Sequence, residues 1–238
     1  MIDTVAAELR SIAKSSTNAT GYFAALYSQV TQNVAAAIRQ GSFTDGARME
    51  RFATVFASYY IDAMHGDGRR PRSWQACLDV ADDNALLIVQ HLLLGINAHI
   101  NHDLPFAVAE VTGDGNIEDV RGDFEAINRI LAETYGGILK ALERVSRWIG
   151  EADLLGGGRL FNFSLERARD QAWAAAERLV VLDVAGRDRY EKDLDEQVSV
   201  LAYLVTKPPA LLRPLLRLAR SMETQDAKSV TSVLLAPD

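Results

Sequence analysis

Apolar residues recur along this chain at intervals of three and four, and no series of alternating residues bounded by hairpin turns interrupts them. That periodicity belongs to amphipathic helices, so the chain reads as all-α, a single-domain multi-helix bundle over residues 1–238. With 48% hydrophobic and 24% charged residues, one buried core is well supplied, and disorder or a low-complexity polymer does not fit.

The stretch 85–100 is the most apolar, yet Gln90, His91 and Asn97 break it. It is too short and too polar for stable membrane insertion and reads as a buried central helix. A net charge of −7 argues against a nucleic-acid partner. The single cysteine, Cys77, excludes an internal disulfide and a thiolate zinc cage. The opening residues Met1-Ile2-Asp3 lack a basic leader and apolar block, which gives a cytoplasmic expectation. Homo-oligomerisation is left open.

Local signals place most helices. Residues 2–14 and 21–40 make the first two, and Asp45 caps a third that Gly66 ends. Ser73 reads as the cap of a helix opening on Trp74, and the central helix runs from Asn84 to about His102, where Leu104-Pro105 stops it. Residues 117–149 give a long pattern that Gly136-Gly137 kinks or splits. Gly150 to Gly158 offers an internal break, after which Ser164 caps a helix through Trp173, and residues 187–206 and 209–222 add two more before a frayed tail.

Buried imidazole and carboxylate groups need partners, so their presence in the central helix calls for a reason. On an α-helical wheel His91, Gly95, His99, His102 and Asp103 fall within an arc of about 120°. His99 and Asp103 stand four apart, His99 and His102 three apart, the spacings at which helical side chains converge. Asp62 and His65, also three apart, lie on the preceding long helix. If those helices pack side by side, His99, Asp103, Asp62 and His65 form a metal set suited to zinc, iron or manganese.

The segment from Gly95 to Pro105, with the upstream residues 56–63 and Ser73-Trp74 and the downstream Asp123, Phe124, Ile127 and Asn128, resembles a bacterial family known only as a domain of unknown function. More distantly, the pattern Gly95, His99, Asp103, Leu104 resembles the signature helix of the zinc-dependent phospholipase C and P1 nuclease superfamily. That resemblance implies a helical fold of that type, metal ligation by His99 and Asp103, and phosphoester hydrolysis. The chain departs from the superfamily in having no histidine after His102, which removes the full zinc cluster.

The expected function is therefore a small-molecule enzyme with a His/Asp pocket. In the first version His99 and Asp103 hold a divalent metal that activates water to hydrolyse an ester or phosphoester, and His102 moves the proton. The second version has no metal: His99, His102 and Asp103 perform acid–base chemistry, as a lyase, isomerase or cyclase, on an apolar natural-product intermediate. A third is a non-catalytic binding protein. Asn97, Asn101, His91, Tyr59 and Trp74 are the substrate-pocket candidates, with Phe56, Tyr60, Trp148 and Trp173 as further aromatic walls. Arg69, Arg70 and Arg72 are read against an anion clamp as a solvated loop, and the helix bearing Arg213, Arg217 and Arg220 as a core helix with an arginine face rather than an interfacial anchor.

Overall fold

Capping chemistry sets where the long helices start. The Asp45 carboxylate accepts the Arg48 amide and opens α3 (Gly46–His65), Asp183 accepts the Gly186 amide and opens α9 (Val184–Thr206), and Asp226 does the same for α11 (Ala227–Leu235) through Ser229. Gly66 closes α3 in the left-handed region, at φ +79°, where a side chain would be strained. A computed structural model describes residues 1–66, 70–150, 157–224 and 226–236. In chain order its helices are α1 (Ile2–Ser15), α2 (Thr20–Arg39), α3 (Gly46–His65), α4 (Arg72–Asp79), α5 (Ile88–Ile96), a π-helical segment (Asn97–Asp103), α6 (Leu104–Thr112), α7 (Glu118–Val145), α8 (Gly157–Val181), α9 (Val184–Thr206), a short 3₁₀ turn (Ala210–Leu212), α10 (Arg213–Ser221) and α11 (Ala227–Leu235). Among the described residues no strand forms, and the fold is all-α.

The central element is α5, the π segment and α6 read as one continuous rod. It packs against α2, α3, α4, α8 and α9. The stop expected at Leu104-Pro105 does not occur. Proline breaks a helix because it lacks an N–H and crowds the carbonyl four residues back. Here Leu104 donates to the His99 carbonyl five residues back, so the turn ahead of Pro105 is already widened and the chain runs on as helix.

Other boundaries differ for similar reasons. The rod starts at Ile88 instead of Asn84, and Ser73 does not cap α4 but lies inside its first turn. The amides of Arg72 and Ser73 are instead taken by the Asp195 carboxylate of α9. Helix α7 runs unbroken through Gly136-Gly137, because Val120, Phe124, Ile127 and Ile130 before them and Ala141, Leu142 and Val145 after them are buried. Burial along both halves outweighs a penalty of about 1 kcal/mol for each glycine. Helix α8 begins at Gly157, so Ser164 is internal to it. The tail is ordered as α11, with Val230, Leu234 and Leu235 buried against α2.

Residues 151–156, which hold most of the expected internal break, lie outside the described residues, as does Arg69. Side chains from both sides of that segment share one core: Phe124 and Ile127 of α7 pack with Ala172, Trp173 and Ala176 of α8 and Val34 of α2. Helix α10 corrects a further reading. None of its residues is buried, and Leu215 and Leu218 are 62% and 61% exposed, so it is not a core helix. No described helix is long and apolar enough to cross a membrane.

Gly95 illustrates how tightly the rod sits on α2. A Cβ built there would lie 2.6 Å from Phe23 Cγ and 2.8 Å from Phe23 Cβ, so the glycine serves close helix packing and the space is filled by Phe23. Because Phe23 Cβ moves only with its backbone, α2 and α5 must part to admit a methyl group. Overpacking of this kind costs about 1–3 kcal/mol, against a helix-propensity gain of about 1 kcal/mol for alanine. Gly95→Ala is therefore expected to lower the urea midpoint with the slope unchanged; a midpoint at or above wild type would contradict the packing role.

Candidate functional site

Asp103 is the hub. It is fully buried, its Oδ2 accepts the Trp74 indole N–H at 2.9 Å and meets His99 Nδ1 at 3.0 Å, and its Oδ1 meets His102 Nδ1 at 2.9 Å. A carboxylate can only accept, so both imidazoles present a protonated Nδ1 to it. Consecutive residues on an α-helix do not face each other. The wider turn of the π segment reduces the angle between neighbours, and His102 and Asp103 meet within it.

The supporting groups come from far along the chain. Asp195 holds the first amides of α4, α4 carries Trp74, and the Trp74 indole reaches Asp103. His99 lies in an aromatic cage: its ring stacks on Phe56 with centroids 3.6 Å apart and planes 7° apart, and Tyr27 approaches edge-on at 4.4 Å. The Nε2 atoms of His99 and His102 are buried and have no hydrogen-bond partner.

Charge distributes unequally over the three groups. Burial pushes His99 down, and the hydrogen bond and charge of Asp103 do not recover the loss. For His102 burial also pulls down, but Asp103, helped by the carboxylates of Asp195 and Glu191, outweighs it and the net shift is upward. Burial raises Asp103, yet hydrogen bonds from both histidines carry it below the usual carboxylate range. The arrangement thus favours an ionised Asp103 and a neutral His99 with a free Nε2 lone pair, and it raises the proton affinity of His102.

His99 also lines a cavity of about 310 Å³ between α2, α3, α5, α7 and α8. Most of its wall is leucine, isoleucine, valine and phenylalanine. The polar exceptions include Tyr27, Thr31, His99 and Arg169. Of the aromatic residues singled out in the sequence, Phe56 and Trp148 are on this wall; Tyr60, Trp74 and Trp173 are not among the lining residues.

The five substrate-pocket candidates do not line this cavity. Asn97 donates to the Val198 carbonyl and accepts from Asn101, which ties the rod to α9. Tyr59 donates to Glu110, Trp74 is spent on Asp103, and His91 sits edge-on to Tyr22 beside a second, polar recess. Arg70 donates to the Ala63 carbonyl and Arg72 is exposed.

The expected metal set is not assembled either. Asp62 and His65 are exposed on α3, whereas His99 and Asp103 are buried. Among the described residues no group of three or more His, Cys, Asp or Glu side chains is placed to hold a metal ion. The reason is rotational: the face of α3 that meets the rod carries Phe52, Phe56 and Tyr60, and Asp62 and His65 fall on its outer side.

Arg169 and Tyr27 were not singled out in the sequence. Arg169 carried a signal: Leu165, Arg169 and Trp173 are spaced by four on the apolar face of α8, where a lone arginine is out of place.

A family model described as a family of unknown function, DUF5995, matches residues 2–208. The chain belongs to that family. No curated protein and no solved structure matches it. The likeness to the zinc-dependent phospholipase C and P1 nuclease superfamily finds no support in these comparisons.

Proposed function

We propose that this protein is a metal-free acid–base enzyme acting on an apolar small molecule, with His99 as the proton-transfer group. The observation that carries the reading is His99, paired with the buried Asp103, on the wall of a largely apolar cavity. An imidazole whose Nδ1 proton is held by a carboxylate keeps its Nε2 free as a base, and a lowered pKa keeps it unprotonated at neutral pH. Asp103 acts through His99 as a positioning residue, and its second oxygen meets His102, whose proton affinity it raises.

The metal-assisted version of the chemistry does not fit the donor set. Both Asp103 oxygens already take hydrogen bonds, Asp62 and His65 are exposed on α3, and among the described residues no three such side chains converge on one point. The Gly95–His99–Asp103 pattern that resembles the phospholipase signature is used here for Phe23 packing and a carboxylate–imidazole pair.

A direct test uses 5-nitrobenzisoxazole, an apolar bicyclic compound. A base takes its acidic C–H proton, the N–O bond breaks, and a coloured phenolate with a nitrile forms. The protein is expected to accelerate this opening above an equal concentration of free imidazole, with a rate that rises with pH as His99 deprotonates and then levels. His99→Ala should remove the acceleration, and Asp103→Asn should displace the pH profile. A wild-type rate no greater than that of free imidazole, or one retained in His99→Ala, would overturn the proposal.

A further inference from the structure

We infer that the cavity is built for an apolar molecule ending in a single carboxylate, with Arg169 as the counter-charge. The inference deepens the proposed function by naming the ligand class, and rests on that reading only in taking the cavity as the ligand's site.

Arg169 is 3% exposed and lies on the cavity wall. Its Nε donates to Asn128 Oδ1 at 2.6 Å, an Nη2 hydrogen goes to the Phe124 carbonyl at 2.9 Å, and the guanidinium lies 4.3 Å from the centroid of the Phe124 ring. Each of these partners is neutral. Among the described residues no carboxylate pairs with it; the carboxylate it feels is Asp170, an exposed neighbour on the same helix. Burial lowers its pKa to about 10, which leaves it charged at neutral pH.

Two other buried charges are treated differently. Asp123 is matched by Arg48 at 3.2 Å, and Asp103 meets two imidazoles and an indole. A buried charge left without a counter-charge is destabilising, and a carboxylate delivered by a ligand would relieve it. Guanidinium and carboxylate match in geometry, with two N–H donors facing two oxygens. A phosphate monoester would bring a second negative charge that a single guanidinium does not balance. The rest of the wall offers leucine, isoleucine, valine and phenylalanine to a hydrocarbon body, and a volume of about 310 Å³ sits at the small end of known ligand pockets.

The test is calorimetric titration of the full chain near neutral pH with decanoate, decanol and decyltrimethylammonium. Decanoate is expected to bind at least tenfold more tightly than decanol, and the cationic amphiphile not at all. Arg169→Gln should erase the difference between decanoate and decanol while leaving decanol binding in place. Should that variant not fold, the comparison of the three probes on the wild-type protein still decides the matter. Equal affinity for decanoate and decanol, or binding of none of the three, would overturn the inference. Decanoate binding in a protein that does not open the benzisoxazole leaves the ligand class standing and removes the proton-transfer role; turnover without decanoate preference does the reverse.

Discussion

Asp103→Ala is expected to cost about 3–5 kcal/mol of unfolding free energy, the usual consequence of removing one partner from a buried ionic cluster. Against a total stability of about 5–15 kcal/mol for a typical domain, that loss brings the protein to the edge of unfolding. The alanine leaves the Trp74 N–H and both His Nδ1–H groups buried without an acceptor, and takes away the charge that holds a proton on His102. Asp103→Asn keeps the shape but not the charge, and separates packing from electrostatics through pH. In the wild type His102 has a folded pKa above the reference 6.5, so its favourable contribution is complete below about 6.5 and is lost as pH rises through the folded value. His99, shifted down, works in the opposite sense: its contribution is present above 6.5 and is lost as pH falls. Urea midpoints between about pH 5 and 9 should therefore show an alkaline decline in the wild type that Asp103→Asn flattens. An unchanged alkaline decline, or a loss below about 1 kcal/mol in Asp103→Ala, would mean that Asp103 is not the hub.

Glu223→Ala is expected to have an effect of similar size, about 3–5 kcal/mol, for a carboxylate whose four partners tie three segments together. Oε1 accepts from Ser146 Oγ at 2.8 Å and from Trp148 Nε1 at 3.0 Å, while Oε2 accepts the Ile88 amide at 3.0 Å and lies 3.4 Å from Arg220 Nη1. Ile88 is the first residue of α5 and Trp148 lines the cavity, so this carboxylate fixes both the start of the rod and part of the pocket wall. Hydrogen exchange should report faster opening at the Ile88 amide in Glu223→Ala, and chemical denaturation should report the lost stability. Wild-type protection at Ile88 in the variant would show that the rod is held without it.

The all-helical character and the His99–Asp103 contact were legible in the sequence because both depend on local spacing. Residues four apart on one helix meet whatever packs around them, and the Asp45 cap and Gly66 stop are equally local. The partners were not legible. Trp74 reaches Asp103 only because Asp195, more than a hundred residues away, anchors α4. Asp62 and His65 were expected at the site on an assumed rotation of α3, but larger apolar side chains on that helix took the inner face. Pro105 was read as a stop because the rule for proline presumes an α-helical turn before it. Arg169 went unread although its position among Leu165, Ala172 and Trp173 was available, since arginine at a buried helical position is uncommon enough to be assigned to the surface.

The widened turn at Asn97–Asp103 gives this fold a mark that can be used on other chains. A π turn accommodates one residue more than the α turn it replaces, and the apolar faces of α5 and α6 on either side are each committed to their own neighbours. A chain shorter by one residue between Asn97 and Asp103 can keep both flanking helices packed only by tightening that turn, which rotates His99 relative to Asp103 and separates His102 from it. When such chains are aligned with this one, a single-residue gap inside those seven positions would mark a protein that keeps the bundle without the carboxylate hub.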